Sequence, residues 1–145
     1  MSDKSEEEIQ EMREVLTEQG IEELKTREDV DEFLDREGAS MIVVNSVCGC
    51  AGEAIRQGVA DALEDLEIDH AGTVFAGEDD AATDEVRSRA PEEEPSSPAI
   101  YLYQDGHKQT YIPRKFTLKH EYDPEKVTEK LLNEVGHLRS LEAVS

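Results

Sequence analysis

Cys48 and Cys50, with only Gly49 between them, are the only two cysteines in a chain of 145 residues. Two thiols so close together support thiol–disulfide exchange or thiolate coordination of a metal; the third reading is a pair of inert buried side chains. The apolar run Met41 to Val44 ends just before the pair, and helical periodicity starts at Ala51. Cys48 therefore falls at or just before a helix N-terminus, where unpaired backbone N–H groups and the helix dipole favour an anion. A thiolate there is stabilised, which lowers the Cys48 pKa and raises its reactivity at neutral pH. Cys50, in the first turn, is placed to attack a mixed disulfide formed on Cys48 and release the product.

The spacing bears on redox poise. A disulfide across one intervening residue closes a small ring whose geometry is hard to satisfy, and Gly49 is the residue that best absorbs the distortion. Such a bond is easily reduced, so the couple is expected to be relatively oxidising, suited to isomerisation or to shuttling through mixed disulfides. The metal alternative would recruit His70, His107, His120 or His137, but none of these has the short, regular spacing of a zinc motif. Each histidine reads as a surface residue, and neither metal nor cofactor is expected.

A second element of the site is Pro98, in "SSPAIYLY", immediately before a strand pattern. The position admits a cis Ser97-Pro98 bond or an ordinary strand-start proline. If the two ends of the chain's α/β pattern meet, the backbone around Ser97 and Pro98 faces Cys48 and can pair with an extended substrate, with Gly49 beside it.

The elements that must position these residues follow from periodicity. Ile9, Met12, Val15 and Leu16 give an amphipathic helix over Glu6 to Glu18, stopped by Gly20. A second opens at Thr26 with a capping box to Asp29, and "IEEL" between them is an edge strand or a connector. Met41 to Val44 reads as a strand buried on both faces. The helix after the cysteines carries Ala54, Ile55, Val59, Ala62, Leu63 and Leu66 on one side, with Gly58 weakening it slightly. "TVFAG" is a further strand, Asp79 to Arg89 a helix, "AIYLYQDGHKQTYIP" a hairpin turning at Asp105-Gly106, and Asp123 caps a closing helix with Pro124 at its first position. This order gives an α/β, thioredoxin-like fold: a central mixed sheet flanked by helices, with an N-terminal helical extension, in a single domain over 1–145.

Composition narrows the partners. The chain holds 36 Asp and Glu against 15 Lys and Arg, a formal net charge of −21. Nucleic acid and anionic membranes reward the opposite charge, so neither is expected. No apolar run is long enough for a membrane span, and the opening "MSDKSEEEIQ" lacks a secretory pattern, so a cytoplasmic location is expected. In that reducing compartment a close cysteine pair points to redox or metal chemistry. The stretch "HKQTYIPRKFTLKH" is locally basic, with Lys108, Arg114, Lys115 and Lys119; it either balances nearby acids or steers an anionic substrate toward Cys48. The acidic runs "SEEE" and "PEEEP" read as solvated surface.

The segments "VVNSVCGCA", "VFAG", "SSP" and "IPR", together with "GIEELKTREDVDEFL", resemble the bacilliredoxin family of small thioredoxin-like proteins. The resemblance runs from about Met12 to Leu132. It implies a thioredoxin-like fold, Cys48 and Cys50 as the redox pair, a cis Pro98, and removal of the low-molecular-weight thiol bacillithiol from protein mixed disulfides, alongside disulfide isomerase activity. The chain departs from the family pattern at Gln57, where a proline often follows the arginine.

Acid residues spread along the whole chain read either as a surface adapted to high salt or as that of an ordinary acidic protein. Raising salt from about 0.01 M to 1 M shrinks the screening length from about 30 Å to about 3 Å and relieves self-repulsion of the compact state. The melting temperature is expected to rise across that range in a calorimetric or fluorescence melt; a flat or falling trend contradicts the salt-adapted reading.

Overall fold

Helix α1 (Glu6–Thr17) starts where Ser5 and Glu8 exchange hydrogen bonds in a capping box. The computed structural model describes residues 5–47 and 49–144. Strand β1 (Glu22–Glu23) is the short edge strand, and α2 (Arg27–Leu34) opens on the expected Thr26–Asp29 capping box. Strand β2 (Ala39–Asn45) is buried at every position. Next come α3 (Gly49–Ala62) and a short 3-10 turn, Leu63–Asp65. Strand β3 (His70–Phe75), α4 (Asp80–Ser88), the hairpin β4 (Ala99–Gln104) and β5 (His107–Ile112), and helices α5 (Arg114–Lys119) and α6 (Pro124–Val144) complete the order.

The five strands form one mixed sheet in the order β1-β3-β2-β4-β5. β3 runs parallel to β1 and β2, while β4 is antiparallel to both β2 and β5. Because side chains alternate along a strand, β2 feeds two cores. Met41 and Val43 join α1, α3 and α6 residues such as Leu16, Ile55, Val59 and Val127 on one face. Ile42 and Val44 join Val30, Phe33, Ala82 and Val86 of α2 and α4 on the other.

Several element ends shift by a few residues, and two departures from sequence expectation matter more. β3 begins at His70 rather than Thr73, because pairing to β2 along its length from Ser40↔His70 to Asn45↔Phe75 holds three residues with no strand signal of their own. Helix α5 was not legible: it has six residues, of which only Thr117 is buried, and its N-cap residue, Pro113, has no side chain to cap it. The hairpin turns at Asp105 (φ 51°) and Gly106 (φ 80°), as the Asp-Gly pair predicts.

Gly58 has a structural reason beyond helix propensity. A Cβ there would lie 2.5 Å from Val127 Cβ and 2.9 Å from the Pro124 carbonyl oxygen, so α6 packs against a bare backbone. The Thr128 hydroxyl donates to the Gly58 carbonyl at 2.8 Å across the same contact. Gly58→Ala gains up to about 1 kcal/mol of helix propensity but forces overpacking that costs about 1–3 kcal/mol. Denaturant unfolding is expected to show a net loss of stability; a gain would mean that the α3–α6 contact is not tight.

Candidate redox site

The carboxyl end of β2 is where the site is built. Asn45 ends the strand, Ser46 and Val47 follow, and α3 starts at Gly49 (φ 20°), so the chain turns from strand to helix within a few residues. Cys48 lies outside the described residues. Cys50 stands in the first turn of α3 with its side chain exposed.

The turn is fixed by a buried arginine. Arg56, two turns into α3, is only 8% exposed. Its Nη1 donates to the Ser46 carbonyl at 2.6 Å and to Asn45 Oδ1 at 3.1 Å. The same Asn45 oxygen accepts from the Ser46 N–H at 2.9 Å, and Asn45 Nδ2 donates to the Met12 carbonyl of α1 at 3.1 Å. Gly52 permits this closeness, since a Cβ there would stand 2.8 Å from the Ser46 oxygen and 3.1 Å from Arg56 Nη1. Burial pushes the guanidinium pKa down, and the negative charge of Glu53 opposes that shift.

Helix α1 is tied to the same end of the sheet. Arg13 holds Asp79 through both terminal nitrogens at 2.9 and 3.2 Å, and Asp79 also accepts from the Phe75 N–H at 3.2 Å. The Arg13 pKa is raised, first by its hydrogen bond to Asp79.

Ser97-Pro98 is a cis peptide. β4 pairs with β2 through Val44↔Ala99, so one residue further along brings Pro98 opposite Asn45. The two sequence-derived halves of the site, the loop leaving β2 and the Ser97-Pro98 segment, thus share one end of the sheet. The segment before Pro98 is pinned from several sides. Arg87 Nη2 donates to the Ser96 carbonyl at 3.3 Å, and the Arg114 N–H donates to Ser96 Oγ at 3.1 Å. Ser96 Oγ and the Tyr111 hydroxyl are hydrogen-bonded at 2.8 Å, and that hydroxyl donates to the Glu94 carbonyl at 2.8 Å.

The remaining candidates separate. Among the described residues no group of three or more His, Cys, Asp and Glu side chains is arranged to hold a metal ion. Lys108 pairs with Glu92 at 2.8 Å and with Glu93, so the "PEEEP" acids do more than meet solvent. Arg114, Lys115 and Lys119 stay exposed on α5. Arg56 and Arg87 are the functional neighbours that sequence reasoning did not single out. Their acceptors lie at least nine residues away, and nothing in the local pattern announces them.

A mixed sheet with helices on both faces, Cys50 in the first turn of the helix that follows its central strand and Pro98 at the start of the neighbouring strand are the arrangement of the thioredoxin-like class. Solved structures agree: a putative oxidoreductase with a thioredoxin fold superposes with a TM-score of 0.56 at 13% identity, covering 73% of this chain and 98% of that one. Fasciola hepatica thioredoxin gives 0.51 at 15% identity, covering 70% and 94%. The family profile described as "Disulphide isomerase" matches residues 5–137. A bacilliredoxin of Symbiobacterium thermophilum is 40% identical over 132 residues, covering 90% of this chain and 93% of the relative. One from Geobacillus kaustophilus is 41% identical over 124 residues, covering 85% and 84%. The chain belongs to the bacilliredoxin family and is a thiol–disulfide oxidoreductase. No helix among the described residues is long and apolar enough to cross a membrane.

Arg56→Met keeps much of the side chain's length and removes its donors, so the Ser46 carbonyl and Asn45 Oδ1 each lose one buried, charge-assisted hydrogen bond. The expected loss of stability is about 1–3 kcal/mol by denaturant unfolding. Exchange should also slow, because the turn that carries the thiols loses its brace; unchanged stability and rate would remove Arg56 from the site.

Proposed function

We propose that the chain removes bacillithiol, or a similar small thiol, from protein mixed disulfides in the cytoplasm, acting as one thioredoxin-like unit over residues 1–145. The observation that carries this reading is the register of β4 on β2, which sets the cis Pro98 beside the end of β2 and the start of α3. Extended substrate backbone pairs with the exposed backbone at Ser97 and Pro98, just before β4, and Gly49 leaves room for it to approach. The thiolate of Cys48 attacks the small-thiol sulfur of the mixed disulfide. A bond forms between Cys48 and that sulfur, and the target cysteine leaves as a thiolate that takes a proton from water. The thiolate of Cys50 then attacks Cys48 Sγ, forming the Cys48–Cys50 disulfide and expelling the small thiol as its thiolate. Two electrons from an external thiol reductant return the pair to the dithiol.

Roles are assigned by position: Cys48 immediately precedes α3, where the helix dipole favours the anion, and Cys50 lies within the first turn. The second reading, disulfide isomerase, is supported by the family profile's description. It uses the same first attack on a wrongly paired protein disulfide, with the resolving thiol acting only when rearrangement stalls.

Variants separate the roles. Cys48→Ser should abolish exchange, while Cys50→Ser should accumulate the mixed disulfide on Cys48, seen by mass spectrometry of the intact protein. Trapping in the opposite variant would reverse the assignment. Rates with a bacillithiolated protein and with a scrambled disulfide protein separate the two enzyme readings. Metal content and thiol titre of the purified protein test the metal-binding alternative.

A further inference from the structure

Most of the described cations are committed to acids. Among the described residues Arg13, Lys25, Arg27, Arg36, Arg89, Lys108, Lys126 and Lys130 each lie within ion-pair distance of a carboxylate. Arg56 and Arg87 are spent on carbonyl and amide oxygens. Arg114, Lys115 and Lys119 are the exceptions: three exposed cations within six residues of one short helix, none of them held by an acid, although the chain carries 36 Asp and Glu. Leaving them free keeps a positive island where the rest of the surface repels anions.

The island borders a cleft. Arg114 and Lys115 line a cavity of about 620 Å³ together with Ser96, Tyr111, Pro113 and Tyr122. Leu118, also on its wall, is 61% exposed, the exposed large apolar side chain of the described residues. Glu93 and Glu94 line it too, but Glu93 is paired with Lys108, leaving Glu94 against two cations. An apolar wall with a few convergent charges, at this size, suits a small molecule.

Its place in the fold links it to the redox site. Ile112 at the end of β5 pairs with Ile100, so Pro113 and Arg114 leave β5 beside Pro98, at the sheet end where β2 releases the cysteine loop. The cleft is two strand spacings from Asn45, about 10 Å. A molecule as long as about three extended residues bridges that distance.

We infer that this cleft binds the carboxylate-bearing part of a low-molecular-weight thiol while its sulfur is joined to Cys48, with Arg114 and Lys115 holding the carboxylate and Lys119 adding to the attracting field. The inference rests on the exchange reaction proposed above and names what that reaction accepts: small thiols with a carboxylate, in preference to neutral ones. It places no demand on the target protein's own sequence.

The test uses the full chain and one reporter protein carrying as its mixed disulfide either an acetylated Cys-Gly-Glu tripeptide with free carboxylates or its neutral counterpart, the Cys-Gly-Gln amide, both long enough to span the distance. Wild type should release the carboxylate-bearing tripeptide faster. In Arg114→Gln/Lys115→Gln that preference ratio should fall about tenfold, the loss lying in KM, and in Arg114→Glu/Lys115→Glu it should invert. The wild-type preference should also shrink as salt rises. Equal rates for both adducts in wild type, or a ratio untouched by the double variant, would overturn the inference while leaving the exchange reaction standing. Failure of wild type to release either thiol would instead overturn the exchange reading and this one with it. Matching melting temperatures for wild type and the glutamine variant establish that a changed ratio is not a folding defect.

Discussion

A guanidinium that is almost wholly buried must find acceptors, and Arg56 finds them in the two residues that end β2 and begin the turn toward the cysteines. No carboxylate lies within ion-pair distance of it among the described residues, so the cost of desolvating the charge is met by carbonyl and amide oxygens alone. That arrangement fixes three things together. It holds Ser46 against the helix, orients Asn45 so that its amide reaches Met12 of α1, and keeps a positive charge beside the chain that leads from β2 into α3. Gly52 belongs to the same constraint, because any side chain there would displace the Ser46 carbonyl.

The scaffold around this brace has a simple logic. β2 is covered on both faces, so its register against β3 and β4 cannot slip without exposing one core or the other. A fixed register places Pro98 opposite Asn45, and the hydrogen bonds from Arg87, Tyr111 and the Arg114 backbone hold the segment leading to it. The site is thus assembled from strand ends whose relative positions are set by the interior, while the side chains that meet solvent remain free to select a substrate. The cations of α5 illustrate that freedom, since only Thr117 of the helix is buried and its outward face is set by charge rather than packing.

Much of this was legible in the residues. The two-sided strand Met41 to Val44, the Thr26 and Asp123 caps, the Asp-Gly turn and the position of Cys50 at a helix start all carry local signals with a physical cause, and each stands where it was expected. What periodicity missed depends on contacts between distant segments. Gly58 reads as a weak point of a helix until Val127 and Pro124 are seen against it. Arg56 reads as one more charge on α3 until residues ten and eleven positions away supply its acceptors. The basic stretch after β5 read as a cluster that either balances acids or steers an anion, and the fold divides it: Lys108 is paired, and the three cations of α5 are not.

The central proposal is that Cys48, next in sequence to the first residue of α3, is a stabilised thiolate. The most direct measurement is the rate of alkylation by iodoacetamide as a function of pH in Cys50→Ser protein, in which Cys48 is the sole thiol. The account predicts a midpoint well below the ordinary thiol value of about 8.5, with the rate level through neutral pH. A midpoint at or above about 8.5 would contradict it.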